Sequence, residues 1–190
     1  RQRQMCIRDS TYSVYSTNSF GGKELVLIPE QEEGSFTDGS GRKLEAQKTE
    51  RGYEVQVETE PFAAIPVIFK PGEKKAAVPN TASSFDGSSI ETPRYSIAWN
   101  EEGQLTRIYD KRMERSVLKE GQLGNVLEVY EDKPINFDAW DIDIFYTQKM
   151  ERAKLAKAPE LVENGSLKAV VRFVFRYHKS VIQQDMTVFR

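Results

Sequence analysis

The clearest fold signal in the sequence is the stretch Asn164-Gly165-Ser166-Leu167-Lys168-Ala169-Val170-Val171-Arg172-Phe173-Val174-Phe175-Arg176-Tyr177. Asn-Gly is the strongest short-range signal for a β-hairpin, because both residues accept the backbone angles of a tight turn. Apolar and aromatic side chains then occupy every second position, as in a strand with one buried face. The pattern predicts strands at residues 152–162, 167–177 and 181–189, with residues 178–180 forming a turn.

The same two-residue period continues upstream and predicts a second hairpin. Tyr95, Ile97 and Trp99 share one face of a strand, residues 100–103 form the turn, and residues 105–109 return. Gly103 suits this turn because glycine accepts a positive φ angle. Beyond the hairpin the sequence predicts a short helical turn within residues 110–120 and two more strands, at residues 124–130 and 137–147.

Shorter strands are predicted near the start of the chain, at residues 25–28, 53–58 and 65–69. Pro29 ends the first of these strands, and Pro71-Gly72 ends the third. Residues 34–42 are rich in Gly, Ser and Asp, which predicts a turn or loop. Since no helix of more than about three turns is predicted anywhere, the fold class is all-β, with antiparallel strands arranged as a sandwich.

A stretch poor in apolar residues separates the two sets of strands and predicts a domain boundary. We assign residues 11–78 to a small β-sandwich domain, 79–90 to a linker and 91–190 to a second β-domain. Residues 1–10 show no periodicity and are joined abruptly to the patterned sequence that begins at Thr11. They resemble either a translated sequencing-adapter artefact or a disordered tail.

Composition limits the classes of function. Hydrophobic residues make up 38% of the 190 residues, charged residues 29% and aromatic residues 11%, which indicates a globular chain. The net charge is −2 without a basic stripe, so nucleic-acid binding is not expected. No apolar run reaches the roughly 20 residues of a membrane helix. The one cysteine, Cys6, excludes an intrachain disulfide, and the one histidine, His178, argues against a zinc site or a catalytic triad here.

The strongest functional signal is the stretch 130–143, which contains five acids and three aromatic residues in fourteen positions. Carboxylates accept hydrogen bonds from sugar hydroxyls, and an aromatic ring covers the apolar face of a pyranose. The candidate sugar-binding residues are Asp132, Asp138, Trp140 and Asp141. On a strand, Asp141 and Asp143 would share one face, with Asp138 and Trp140 on the other. The alternative is that the acids are solvated edge residues and that Trp140 anchors the core.

Three stretches in this order resemble the post-catalytic β-region of the family 38 glycoside hydrolases, the α-mannosidases. They are residues 95–111 (YSIAWNEEGQLTRIYDK), 124–134 (GNVLEVYEDKP) and 138–143 (DAWDID). Upstream, Asn18-Ser19-Phe20 and the region of Gln47 resemble the small β-domain that precedes this region. The resemblance covers roughly residues 11–189.

The resemblance implies a fragment of a retaining, zinc-dependent α-mannosidase that acts on α-mannosides. It implies that the nucleophile, the acid/base and the zinc ligands belong to a missing catalytic domain of the same chain. No catalytic residue or metal ligand is therefore assigned to this sequence, and the fragment alone is expected to be inactive. Residues 91–190 would form the truncated start of a mutarotase-like supersandwich that packs on the catalytic domain. A cytoplasmic location is expected by the same resemblance.

Two other interpretations of the sequence are open. One is that the chain is a freestanding carbohydrate-binding β-sandwich module without hydrolase activity. It is also compatible with a structural β-domain that has no ligand. A sheet that stops at Arg190 would leave an unpaired edge, so aggregation of the isolated fragment is expected.

Overall fold

The computed structural model describes residues 10–72, 83–137 and 139–190. These residues form strands and one 3-10 helix at Ile144–Gln148. The strands are β1 Ser10–Tyr15, β2 Gly22–Ile28, β3 Gly34–Asp38, β4 Lys43–Leu44, β5 Ala46–Thr49, β6 Gly52–Thr59, β7 Ala64–Pro71, β8 Ser84–Phe85, β9 Ser89–Glu91, β10 Tyr95–Trp99, β11 Leu105–Asp110, β12 Arg115–Ser116, β13 Glu128–Tyr130, β14 Met150–Arg152, β15 Lys154–Asn164, β16 Lys168–Tyr177 and β17 Ser180–Phe189. The described part of the chain contains no helix long and apolar enough to cross a bilayer.

The described residues form two compact units. The first contains residues 10–72, 165–168 and 189, and the second contains the rest. In the first unit a sheet with the order β1-β7-β3-β4 accompanies a sheet with the order β2-β6-β5. Neighbouring strands of both sheets are antiparallel. The predicted strands 25–28, 53–58 and 65–69 are confirmed as parts of β2, β6 and β7.

The core of the first unit draws side chains from both of its sheets, which is what makes this unit a sandwich. Phe36 of β3 lies at its centre, with ring centroids 5.2 Å from Tyr53 and 5.1 Å from Phe69. The prediction of a loop at residues 34–42 is therefore wrong for β3, because burial of Phe36 outweighs the turn-forming Gly and Ser around it. Only residues 39–42 turn, where the Asp38 carboxylate accepts hydrogen bonds from the backbone N–H of Ser40 and Arg42.

The second unit contains a five-stranded sheet of order β12-β11-β10-β9-β8, a three-stranded sheet β15-β16-β17 and the pair β13-β14. Both predicted hairpins are confirmed: β10 pairs with β11, and β15 pairs with β16 around Asn164-Gly165. The last predicted strand, 181–189, is confirmed as β17.

The core of the second unit forms where the five-stranded and three-stranded sheets meet. Trp99 of β10 packs edge-on against Phe173 of β16, with ring centroids 5.3 Å apart. The indole N–H of Trp99 donates to the backbone oxygen of Gly87 at 3.0 Å, so its polar atom is satisfied. Four alternating residues of β16 that the sequence predicted to face inward are buried in this core: Ala169, Val171, Phe173 and Phe175.

The turn between β10 and β11 explains the predicted role of Gly103, which has a φ angle of 76°. The side chain of Asn100 accepts hydrogen bonds from the backbone N–H groups of Glu102 and Gln104. A Cβ on Gly103 would lie 3.0 Å from the Leu155 side chain and 3.2 Å from the Phe175 ring. Both the backbone angle and the space therefore favour glycine at this position.

Three features differ from the sequence-based expectation: one predicted helical turn and two predicted boundaries. Residues 110–120 hold no helical turn: Asp110 accepts hydrogen bonds from the N–H of Arg112 and Met113, and the chain reverses into β12. The predicted linker 79–90 includes β8 and the start of β9, where Ile90 is fully buried in the core. Residues 79–82 of this linker lie outside the described residues. Ser10, assigned to the tail 1–10, begins β1, and the rest of that tail, with Cys6, lies outside the described residues. The all-β, antiparallel sandwich class is confirmed.

Candidate functional site

The acidic and aromatic stretch 130–143 begins at the end of β13 and continues into the loop that connects β13 to β14. We call residues 131–149 the β13–β14 loop. The two strands pair antiparallel, with Glu128 opposite Arg152 and Tyr130 opposite Met150. The backbone N–H of Glu131 donates to the oxygen of Lys149 at 3.1 Å and closes the base of the loop. The β13–β14 loop therefore begins and ends at a hydrogen-bonded pair of strands.

Charge pairing reinforces this base. The Glu131 carboxylate lies 2.8 Å from the Lys133 ammonium and 3.1 Å from the Lys149 ammonium. Hydrogen bonds from Lys133 first and Lys149 second hold the pKa of Glu131 below its ordinary value. The carboxylate therefore stays ionised at neutral pH and joins the two ends of the loop.

Three further contacts shape the interior of the loop. The rings of Tyr130 and Tyr146 meet edge-on, with centroids 5.2 Å apart. The Asp143 carboxylate accepts a hydrogen bond from the backbone N–H of Ile135 at 2.7 Å, and Tyr146 N–H donates to the Asp143 backbone oxygen at 3.1 Å. Asp143 therefore supports the loop and opens its 3-10 helix.

The predicted strand at residues 137–147 is wrong. Ile142, Ile144 and Tyr146 stand at alternate positions, which mimics the period of a strand. In the described structure, however, residues 139–143 form turns and extended loop, and the 3-10 helix follows. Because the described residues of this stretch form no strand, the expected sharing of a face between Asp141 and Asp143 does not apply. The expected pair of Asp138 and Trp140 includes a residue outside the described part of the chain.

The predicted site residues lie in this loop, and all that are described are solvent-accessible. Trp140 is 92% exposed, which excludes the alternative that it anchors the core. The carboxylates of Asp132 and Asp141 make no hydrogen bond or ion pair with other described residues. Asp138 lies outside the described residues. The assignment of these residues to sugar binding stays a prediction.

Phe137 is a residue that the sequence analysis did not assign to the site. Its φ angle is 57°, a left-handed conformation that side chains other than glycine rarely adopt. Its backbone oxygen accepts hydrogen bonds from the N–H of Trp140 at 2.7 Å and of Asp141 at 3.0 Å. Phe137, Trp140 and Asp141 line one shallow depression. The sequence could have indicated Phe137 only as an aromatic residue within an acidic stretch. Its φ angle could not be predicted, because the backbone angle of one residue produces no sequence pattern.

This arrangement suits an uncharged, hydroxyl-rich ligand. Two exposed rings offer apolar faces, and Asp141 offers free acceptor oxygens beside them. It does not suit a metal ion, because among the described residues no three His, Cys, Asp or Glu side chains come together. The zinc that the sequence resemblance implies was expected in the catalytic domain and not in this chain.

Comparisons with known proteins agree with the sequence resemblance. Residues 90–190 match the model of the glycosyl hydrolases family 38 C-terminal domain. Alpha-mannosidase G of Dictyostelium discoideum is 33% identical over 104 residues, which are 54% of this chain and 9% of that protein.

Two solved structures share the fold. The chain is similar to an α-mannosidase from Enterococcus faecalis V583, with a TM-score of 0.57, 11% identity and coverage of 94% of this chain and 28% of the other. It is also similar to a protein in the glycosyl hydrolase family 38 from Enterococcus faecalis, with a TM-score of 0.56, 11% identity and coverage of 93% and 29%.

The chain thus spans less than a third of each of these relatives. The family match covers more than half of the chain and contains the hairpin β10–β11, the β13–β14 loop and strands β15 to β17. Residues 90–190 belong to the C-terminal domain of the glycosyl hydrolases family 38, and the chain is therefore a member of that family.

Proposed function

We propose that this chain is the β-region of a retaining α-mannosidase that hydrolyses α-mannosides, and that its β13–β14 loop lines the sugar site of that enzyme. The family match and the name of the Dictyostelium relative support the reaction. The observation that supports the location is the exposed ring of Trp140 beside the free carboxylate of Asp141.

The partner in this proposal is the catalytic part of the same polypeptide. The β13–β14 loop exposes aliphatic and aromatic side chains that a sugar alone would not cover: Ile135, Ile142, Ile144 and Phe145. Contiguous exposed apolar side chains are typical of surfaces that meet another protein surface. These side chains would pack on the catalytic part while Trp140 and Asp141 reach the substrate.

The catalytic groups and zinc belong, in this proposal, to that other part of the polypeptide. The described residues hold no group of metal ligands, so no step of the reaction is assigned to them. The role of this chain is to orient the sugar and exclude water from it. A cytoplasmic location belongs to the same proposal and rests on the resemblance alone.

The first experiment compares the 190-residue chain with the longer polypeptide obtained by extending the reading frame upstream. Both are assayed for hydrolysis of 4-nitrophenyl α-D-mannopyranoside. The longer polypeptide is expected to release nitrophenol and the 190-residue chain is not. Hydrolysis by the short chain, or an upstream frame that encodes no catalytic domain, contradicts the proposal.

A freestanding carbohydrate-binding module is the second candidate, and the 92% exposure of Trp140 favours it, because such an open ring is available without any partner. Calorimetric titration of the 190-residue chain with methyl α-D-mannopyranoside separates the two. Saturable binding that disappears in Trp140→Ala, but persists in Phe62→Ala, supports the module. Phe62 is a fitting control because it is also an accessible aromatic residue, 73% exposed, in the first unit.

A further inference from the structure

The most informative backbone feature of the β13–β14 loop is the left-handed conformation of Phe137. A bulky residue at a positive φ angle is strained, and such strain persists where the surrounding structure holds it. Here the two hydrogen bonds that Phe137 accepts, from Trp140 and Asp141, close the turn and hold the angle. Asparagine or glycine would form the same turn with less strain. Phe62 is also exposed at a positive φ angle, so what distinguishes Phe137 is the depression that it lines with Trp140 and Asp141.

The side chain of Phe137 gives no packing reason for its presence either. It is 76% exposed, and among the described residues its ring contacts no other aromatic ring. The ring of Trp140 likewise contacts no other aromatic ring among the described residues. The two rings are therefore open on their faces, although a tight turn keeps them close in space. Exposed rings that do not stack on each other leave room for a flat ligand between or across them.

We propose that Phe137 is a second sugar-contacting ring of this site, which acts with Trp140 on a pyranose while Asp141 accepts hydrogen bonds from its hydroxyls. This inference deepens the proposed function and rests on it. The strained backbone of Phe137 places its ring at the depression that Trp140 and Asp141 also line. The ligand class is a neutral hexopyranoside, since two apolar ring faces and one acceptor recognise ring carbons and hydroxyls rather than charge.

The experiment measures kcat and KM for 4-nitrophenyl α-D-mannopyranoside on the longer polypeptide carrying Phe137→Ala, Phe137→Gly or Phe137→Trp. We expect KM to rise about 10-fold in the alanine and glycine variants, the scale of losing one ring contact, with kcat nearly unchanged. Phe137→Trp is expected to keep KM close to that of the unmodified protein, because it keeps an aromatic face.

A second readout tests the strain itself on the 190-residue chain. Both small variants lack the ring, and only alanine keeps the cost of a Cβ at a positive φ angle. The melting temperature of Phe137→Gly is therefore expected to exceed that of Phe137→Ala by about 2–4 °C. Equal melting temperatures would contradict the strained conformation.

The outcomes separate this inference from the proposed function. A longer polypeptide without α-mannosidase activity overturns the proposed function. Activity that depends on Trp140 but keeps the same KM in Phe137→Ala and Phe137→Gly overturns only the role of Phe137. A fall in kcat at constant KM would also overturn it, because a ring that only supports the fold or the docking of the loop would not act through KM.

Discussion

The two tryptophans of the chain show how strongly the surroundings decide the role of a side chain. Trp99 is 5% exposed, packs against Phe173 and donates its indole N–H to Gly87. Trp140 is 92% exposed, and no aromatic ring of the described residues packs against it. The ring of Trp99 stabilises the core of the second unit, whereas the ring of Trp140 lies almost entirely in solvent. Removing each ring is therefore expected to affect a different property, stability for Trp99 and sugar binding for Trp140.

Gly103 provides a test of how a turn residue supports the core. Gly103→Ala is expected to destabilise the fold by about 2 kcal/mol, because it combines a positive φ angle with close approach to Leu155 and Phe175. The control is Gly121→Ala: Gly121 has a φ angle of 74°, but a Cβ there would meet nothing within 4 Å. Urea unfolding measures both. Equal losses of stability in the two variants would show that the contacts at Gly103 do not matter.

Tyr12 predicts how stability depends on pH at the alkaline end. Burial, and then its hydrogen bond to the Glu30 carboxylate, raise the pKa of Tyr12 to about 12. Because the folded pKa lies above the unfolded value of about 10, the contribution of Tyr12 is complete below pH 10. It is lost as the pH rises from about 10 to 12.

Melting temperatures between pH 8 and 12 measure this contribution, for which Tyr12→Phe and Tyr15→Phe are the matched variants. Tyr15 lies on the same strand and is exposed, so its replacement is expected to leave the alkaline decline unchanged. Tyr12→Phe is expected to make the decline shallower. A decline of identical steepness in both variants would contradict the assignment to Tyr12.

Among the strands, the ones with a clear apolar face were predictable from the sequence. The strands β6, β10 and β16 carry apolar residues at alternate positions, and each lies inside a sheet with a neighbour on either side. The strand β3 was not predicted, because its one large buried side chain, Phe36, stands among Gly, Ser and Asp. The strand β1 was not predicted either, since every second residue of it is only half-buried.

In the β13–β14 loop, by contrast, the sequence predicted a strand that the described structure does not contain. Its residues 137–147 carry the period of a strand, yet the described structure gives them no neighbouring strand to pair with. A strand needs such a partner for its backbone N–H and C=O groups. Pairing is decided by the whole fold, and a local pattern does not contain it. The composition of the candidate site, in contrast, was visible in the sequence because it depends on residue type alone.

The edges of the sheet β15-β16-β17 differ in how well they are protected, which predicts self-association. The ladder of β15 is interrupted by register shifts and contains Pro159, features that discourage pairing with another chain. The strand β17 is ten residues long and contains no proline. The charge of its Asp185 is paired with Arg172 at 2.7 Å, so this acid protects the edge less than an unpaired charge would. Val181→Lys on β17 is expected to reduce association of the 190-residue chain.

Sedimentation velocity at several protein concentrations measures this association. Val162→Lys, on β15, is the control and is expected to change little, because that edge is already irregular. A chain that remains monomeric at all concentrations, or an equal effect of both variants, would show that the β17 edge is not the contact. A lysine on an edge strand costs little stability because it stays in water.

For the molecule as a whole, the family assignment separates a scaffold from the chemistry of its parent enzyme. The described residues hold no cluster of metal ligands, and the proposed function assigns the zinc to the catalytic part of the polypeptide. Treatment of the 190-residue chain with EDTA is therefore expected to leave its melting temperature unchanged, and elemental analysis is expected to find less than stoichiometric zinc. One zinc per chain, together with a lower melting temperature after EDTA, would contradict this division.

The structure of the β13–β14 loop is consistent with the role proposed for it. Its base is held by the β13–β14 ladder and by the ion pairs of Glu131. Its tip presents the side chains of Trp140 and Asp141 without partners among the described residues. A loop with a fixed base and an exposed tip is suited to a binding site that another protein surface completes.

The most direct measurement is therefore kcat/KM for 4-nitrophenyl α-D-mannopyranoside on the longer polypeptide, compared between the unmodified protein, Trp140→Ala and the control Phe62→Ala. We predict that Trp140→Ala lowers kcat/KM at least about 10-fold, the loss expected for one aromatic contact to a sugar ring, while Phe62→Ala leaves it unchanged. Equal kcat/KM in Trp140→Ala and the unmodified enzyme would contradict the claim that the β13–β14 loop lines the sugar site of an α-mannosidase.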